Sequence, residues 1–263
     1  VLLPFGGRTQ GSETQVSVQK LPVEGYTETA SIMAYGYNPF LTLWSPYHGA
    51  AYAVVEACAK VVAAGAEFGG MRFSYQEYFE RMHTARSWGK PLAALLGALR
   101  MQVELGLPSI GGKDSMSGTF QQINVPPMLM AFGITTVDAR RVISTDLKEA
   151  GHTLYLLKHT PKANRMPDTA ALRTLWNYAS ERIAAGRIVA GYAVGFGGVA
   201  EALAKMAFGN GIGAEVELPE EALFAYDYGS IVVESTVELD APFAVRLGRT
   251  TADEALTVNG ERM

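Results

Sequence analysis

Hydrophobic spacing switches repeatedly between helix period and strand period along these 263 residues, and never settles into a repeat. Ala51, Val54, Val55, Cys58, Val61 and Val62 recur at helical spacing, and Gly65 ends that run. Leu92, Leu95, Leu96, Leu99 and Val103 form a second helical stripe, opened by Pro91 and closed by Gly106, and are expected to face the core. Residues 74–87 read as a helix with Tyr75, Tyr78, Phe79 and Met82 on one side, a core stripe rather than a base-stacking platform. His83, beside Arg81 and Arg86, reads as a solvated histidine. Residues 15–19 alternate like a strand, and residues 128–134 hardly alternate, as expected of a strand buried on both faces. The second half gives strand 153–157, helix 169–185, strand 188–194, helix 199–208 and strands 214–218, 230–234 and 243–247. Mixed elements without regular βαβ units favour an α+β pair of domains over a doubly wound sheet. A polar stretch puts the boundary near residues 141–152.

Composition narrows the functional classes. Apolar residues make up 48% and charged residues 18%, which supports substantial cores. A net charge of −4 with scattered Lys and Arg argues against a nucleic-acid surface. No apolar run reaches the ~18 residues of a membrane span. Cys58 is the sole cysteine, so neither an internal disulfide nor a cysteine metal cluster is available, and a reducing, cytoplasmic compartment is expected. Cys58 lies on an apolar helix face and reads as core. Glu56 and Lys60 form an i,i+4 pair on the other side, worth ~0.2–0.5 kcal/mol. The ends, Val-Leu-Leu-Pro and Asn-Gly-Glu-Arg-Met, suggest a piece of a larger protein.

Residues 107–118 carry the densest chemistry. The glycine pair Gly111-Gly112, Lys113, Asp114 and three serines follow an apolar segment. A turn of that composition either brings N–H groups, a cation and hydroxyls to one phosphate or is a polar loop of turn formers. It is not the common phosphate loop: Leu107 stands where that motif needs Gly, and Asp114 where it needs Ser or Thr. Nor is there a dinucleotide fingerprint, since Gly195-Phe-Gly-Gly198 lacks the third glycine.

Gly111-Gly-Lys-Asp-Ser-Met-Ser117 and Pro126-Pro-Met-Leu-Met-Ala131 resemble phosphoribosylformylglycinamidine synthase, as do Tyr47-His-Gly-Ala-Ala51 and Gly151-His-Thr-Leu-Tyr-Leu156. So do Leu247-Gly-Arg-Thr-Thr251 and Val258-Asn-Gly260 near the end. That family is the ATP- and glutamine-dependent carbon–nitrogen ligase of purine biosynthesis. The resemblance implies a two-domain unit shaped like aminoimidazole ribonucleotide (AIR) synthetase, the PurM-like fold, with domains 1–145 and 149–263. Large members hold two such units in tandem, and this chain is similar to the second. Its implied partners are the rest of the same polypeptide: the first unit, which carries the catalytic histidine and most magnesium ligands, and a glutaminase domain. An isolated unit is expected to be inactive and to form a homodimer through its first-domain sheet. Neither nucleic acid nor a membrane is implied as a partner.

The resemblance also implies roles. Gly111, Gly112, Ser115 and Ser117 would hold substrate phosphate, with Gly112 and Lys113 approaching nucleotide or metal. Lys113 would supply a cation in phosphoryl transfer, with ATP and Mg²⁺ as cofactors of the whole enzyme. Asp114 would orient Lys113, bind a metal or merely close an Asx turn. Ser74, Tyr75 and Gln76 match a loop that reaches the nucleotide. Glu56 matches a metal ligand of the unit's own pseudo-symmetric nucleotide site. That site is expected to be degenerate: Lys60 replaces Asn, and Ala193, Gly195 and Phe196 replace two aspartates and a serine. The rival readings are a non-catalytic structural half and another ATP-dependent enzyme of the superfamily.

Overall fold

A computed structural model of the chain describes residues 5–263. The first four residues of the extended, turn-rich start lie outside the described residues. The chain begins with a short ribbon of β1 (Phe5–Gly6) and β2 (Ser12–Glu13), then β3 (Ser17–Lys20), β4 (Thr29–Gly36), α1 (Pro39–Trp44) and α2 (Pro46–Ala63). There follow β5 (Arg72–Tyr78), α3 (Ala85–Leu105), β6 (Ser109–Lys113), the ribbon β7 (Thr119–Phe120) and β8 (Ile123–Asn124), and β9 (Met128–Asp138). The second half is β10 (Thr153–Leu157), α4 (Thr169–Ala184), β11 (Ile188–Ala193), α5 (Gly198–Phe208), β12 (Gly213–Val216), α6 (Glu220–Leu223), β13 (Ile231–Ser235), β14 (Ala244–Thr251), β15 (Leu256–Val258) and β16 (Glu261–Arg262).

Two sheets result. The first runs β3-β4-β9-β5-β6, and the second runs β11-β13-β10-β14-β12-β15-β16. Both are mostly antiparallel, with β5–β6 and β12–β15 the parallel pairs. This is the expected α+β mixture. One core joins the halves: α2 packs on β4 and β9 of the first sheet, on α3, and on α4 and β11. A smaller core lies between α5 and the second sheet, around Leu203, Met206, Tyr192 and Val232.

The central role of α2 follows from its composition. Ser45 caps it through His48 N–H, Pro46 opens it, and Gly65 at φ +101° lets the chain turn away. Its six alanines leave room for neighbours on every side, so 14 of its 18 residues are buried. Glu56 and Lys60 form the expected i,i+4 pair, at 2.7 Å, and it is almost wholly enclosed.

Four further expectations need correction. Residues 74–87 do not form one helix. β5 occupies 72–78, with Phe73, Tyr75 and Glu77 buried and Ser74, Gln76 and Tyr78 half-buried, a period of two. The helical spacing of Tyr75, Tyr78, Phe79 and Met82 spans a strand and the turn after it. The next helix begins before Pro91, at Ala85, where Thr84 and Ser87 form a reciprocal cap, so the proline lies inside it. Its expected core face is also wrong: Ala94, Gly97, Ala98, Met101 and Leu105 are buried, and the leucine stripe is exposed. Small residues let α3 approach α2 closely, which turns the large ones outward. Finally, β9 is covered on one face only. Leu129, Ala131 and Gly133 point to the helices, and Phe132 and Ile134 remain open, beside Met33 and Tyr35 of β4.

Candidate functional site

The glycine-lysine segment is an edge strand, not a turn. β6 lies parallel to β5, with Ser74 opposite Gly111, Tyr75 opposite Gly112 and Gln76 opposite Lys113. A bulge at Ile110 sets this register. Only glycine fits at 112, because a Cβ there would lie 2.6 Å from the Tyr75 carbonyl oxygen. Past Lys113 the chain stays on β5: Ser115 N–H donates to the Glu77 carbonyl at 3.1 Å, and Gly118 N–H to that of Phe79 at 2.9 Å. Those two N–H groups are thus committed to the sheet and unavailable to a ligand. The Ser115 and Ser117 hydroxyls lie 3.2 Å apart.

Partners in register share a face, and faces alternate along a strand. Ser74, Gln76 and Lys113 accordingly gather on the open side of the sheet. The Lys113 side chain is exposed and has no hydrogen-bond or ion-pair partner among the described residues, Asp114 included. Tyr75 is separated from Ser74 and Gln76: it faces the helices, its hydroxyl is buried without a partner, and burial pushes its pKa up.

A cleft of about 280 Å³ beside this strand is lined by Tyr75, Glu77, Leu95, Ser109, Gly111, Gly112, Lys113 and Asp114. Sequence reasoning missed Glu77. Its side chain is 6% exposed, Oε1 has no hydrogen-bond partner, and burial followed by the nearby Asp114 charge pushes its pKa up to about 7. The available signal was the period-two burial of Phe73, Tyr75 and Glu77. Asp114 therefore acts electrostatically on Glu77 rather than pairing with Lys113.

The second expected site lies where α2 meets β4. Lys60 Nζ reaches Glu56 Oε1 at 2.7 Å and donates to the Tyr35 carbonyl at 2.9 Å; Glu56 Oε2 accepts from Tyr37 N–H at 3.0 Å. Burial pushes the Glu56 pKa up, and Lys60 works against that shift. Ala193 exchanges two hydrogen bonds with the Gln15 side chain. Phe196 stacks on Phe40, with ring centroids 5.3 Å apart, and lies 5.4 Å from Tyr226. Glu201 accepts from Gly197 N–H and pairs with Lys205. These residues do not suit a divalent cation, because an ammonium already neutralises Glu56. Among the described residues no three His, Cys, Asp or Glu side chains cluster as metal ligands. Cys58 is fully buried and its thiol pKa is pushed up by burial, so it is core. Among the described residues no helix is long and apolar enough to cross a membrane.

Residues 144–242 match the family described as AIR synthase related protein, C-terminal domain. The phosphoribosylformylglycinamidine synthase subunit PurL of Picrophilus torridus is 26% identical over 257 residues, 87% of this chain and 34% of that protein. The corresponding subunit of Thermus thermophilus is 30% identical over 217 residues, 72% of this chain and 28% of that protein. Among solved structures, Thermotoga maritima PurL complexed with FGAR superposes with a TM-score of 0.72 at 14% identity, covering 100% of this chain and 48% of that one. Thiamine monophosphate kinase from Aquifex aeolicus gives 0.65 at 14%, covering 95% of this chain and 92% of that one. The chain spans about a third of the length of the curated relatives it matches. It has the AIR-synthase-like fold and is a relative of one third of the phosphoribosylformylglycinamidine synthase subunit PurL.

Proposed function

We propose that this chain acts as the second AIR-synthetase-like unit of a phosphoribosylformylglycinamidine synthase and lends one wall to an active site completed by the rest of the enzyme. In that reaction ATP phosphorylates the amide oxygen of formylglycinamide ribonucleotide, and ammonia derived from glutamine displaces the phosphate to give the amidine. The observation that carries the reading is Lys113: an exposed ammonium with no side-chain partner among the described residues, in register with Gln76 and followed by two hydroxyls. An unpaired cation suits the charge that develops on transferring phosphoryl oxygens. Ser115 and Ser117 supply hydroxyls for the substrate phosphate, Gly111 and Gly112 keep the strand bare beside it, and Ser74 and Gln76 offer polar groups to the nucleotide. Mg²⁺, when bound in the whole enzyme, adds charge neutralisation at the phosphates.

A division into domains 1–145 and 149–263 is part of this reading, and it is supported by the strands of the two sheets lying on either side of it. The open face with Met33, Tyr35, Phe132 and Ile134 is apolar and suits the first unit as its cover. We assign no Mg-nucleotide to the Glu56 pocket, where Lys60 supplies the positive charge.

The test is Lys113→Ala in the intact enzyme. The expected loss is ~100-fold or more in kcat with an unchanged melting temperature. A near-normal rate would return the segment to a purely structural role.

A further inference from the structure

We propose that Glu77 and Asp114 hold one hydrated divalent cation of the Mg²⁺ class in the cleft where the β6 edge meets α3. Both carboxylates line that cleft, with Leu95 of α3 and the bare Gly111-Gly112 backbone among its walls. Glu77 is 6% exposed, and its Oε1 has no hydrogen-bond partner. No hydrogen bond or ion pair holds its other carboxylate oxygen among the described residues. A buried carboxylate without a partner is costly, and it is retained where something else balances it.

The chain does not supply that balance. Asp114 brings a second carboxylate, and its charge works against ionisation of Glu77. Like charges in one cleft call for a proton or a cation between them. Lys113 lines the same cleft, yet neither carboxylate holds its ammonium. The placement is fixed by backbone pairing: Ser115 N–H donates to the Glu77 carbonyl at 3.1 Å, which ties the segment carrying Asp114 to β5 beside Glu77.

The lining selects the ion. It offers the carboxylates of Glu77 and Asp114 and the Ser109 hydroxyl, with no His, Cys or Met. Oxygen donors favour hard dications over Zn²⁺ or Cu²⁺. Two carboxylates rather than three suit Mg²⁺, which keeps several of its waters and takes one or two protein carboxylates. A water molecule would give Oε1 a hydrogen bond and leave both negative charges in place; a dication answers both. The inference rests on Glu77 and Asp114 and does not depend on the enzymatic reading of Lys113.

Mn²⁺ alone is the probe, titrated into the 263-residue chain and followed by electron paramagnetic resonance of the free ion, with Mg²⁺ as competitor. One Mn²⁺ per chain should bind, Mg²⁺ should displace it, and binding should raise the melting temperature. Glu77→Gln and Asp114→Asn should each weaken binding about 10-fold or more. Glu77→Gln keeps the shape and removes a buried charge, so its metal-free melting temperature should match or exceed the wild type in alkaline buffer, which separates lost binding from lost folding. Glu80→Gln removes a nearby carboxylate already paired with Lys90 at 2.5 Å, and should leave binding unchanged. Lys113→Ala removes a like-charged neighbour of the ion and should tighten binding rather than weaken it. Absence of saturable binding, affinity retained in Glu77→Gln or Asp114→Asn, an equal loss in Glu80→Gln, or a loss in Lys113→Ala overturns the proposal. Lost catalysis in Lys113→Ala without any Mn²⁺ binding to the chain would overturn the cation site and leave the enzymatic reading standing.

Discussion

Glu77 shows how one side chain can escape a sequence and still dominate a site. A carboxylate among Phe73, Tyr75 and Phe79 reads as an interruption of a hydrophobic stripe, yet the strand places it in the buried row. Its folded pKa, about 7, exceeds the ordinary 4.5, so folding favours the protonated form. The stability it supports is fully present below pH 4.5 and lost as pH rises through 7. A shift of that size corresponds to an upper bound of roughly 3 kcal/mol. Thermal melts between pH 4.5 and 8 should fall on the alkaline side for the wild type. Glu77→Gln should flatten that limb and exceed the wild type above pH 7.5; a parallel pair of curves would remove Glu77 as the cause. Lys113 was readable because it belongs to a compact motif. That the motif lies along an edge strand beside Glu77 was not, since only the pairing with β5 sets that register.

At the scale of elements, legibility followed how each helix meets its neighbours. α2 and α4 were legible because apolar spacing and packing coincide. α3 was half legible: its extent shows in the spacing, but its buried side is the small-residue side, Ala94-Gly97-Ala98, which a rule seeking large apolar residues ranks last. β4 escaped notice altogether, and its fit against α2 rests on Gly36. A Cβ there would lie 2.1 Å from the Ala53 carbonyl oxygen. Gly36→Ala should cost about 1–3 kcal/mol in urea unfolding by forcing sheet and helix apart. Gly69→Ala, with nothing within 4 Å of its Cβ, should stay within ~0.5 kcal/mol of the wild type. Equal effects at the two sites would mean that the close approach is not what Gly36 provides.

For the molecule as a whole, two sheets share one core through α2, so each half is braced by the other. The fold class was legible from mixed periodicities, whereas this joint core was not, because it depends on long-range contacts that local spacing does not encode. If the Glu56 pocket is served by Lys60, titrating ADP and Mg²⁺ into the isolated chain should give no heat that depends on Glu56. Micromolar binding abolished by Glu56→Ala would show instead that the pocket is live.

The Lys60–Glu56 pair has a consequence for how this half keeps its charge balance. A dissolved ion can be stripped by a chelator or diluted away, but an ammonium one helical turn from its carboxylate is tethered by the backbone. The centre of the molecule carries a counter-ion that cannot leave, and its neutrality at that point is independent of the metal content of the surroundings.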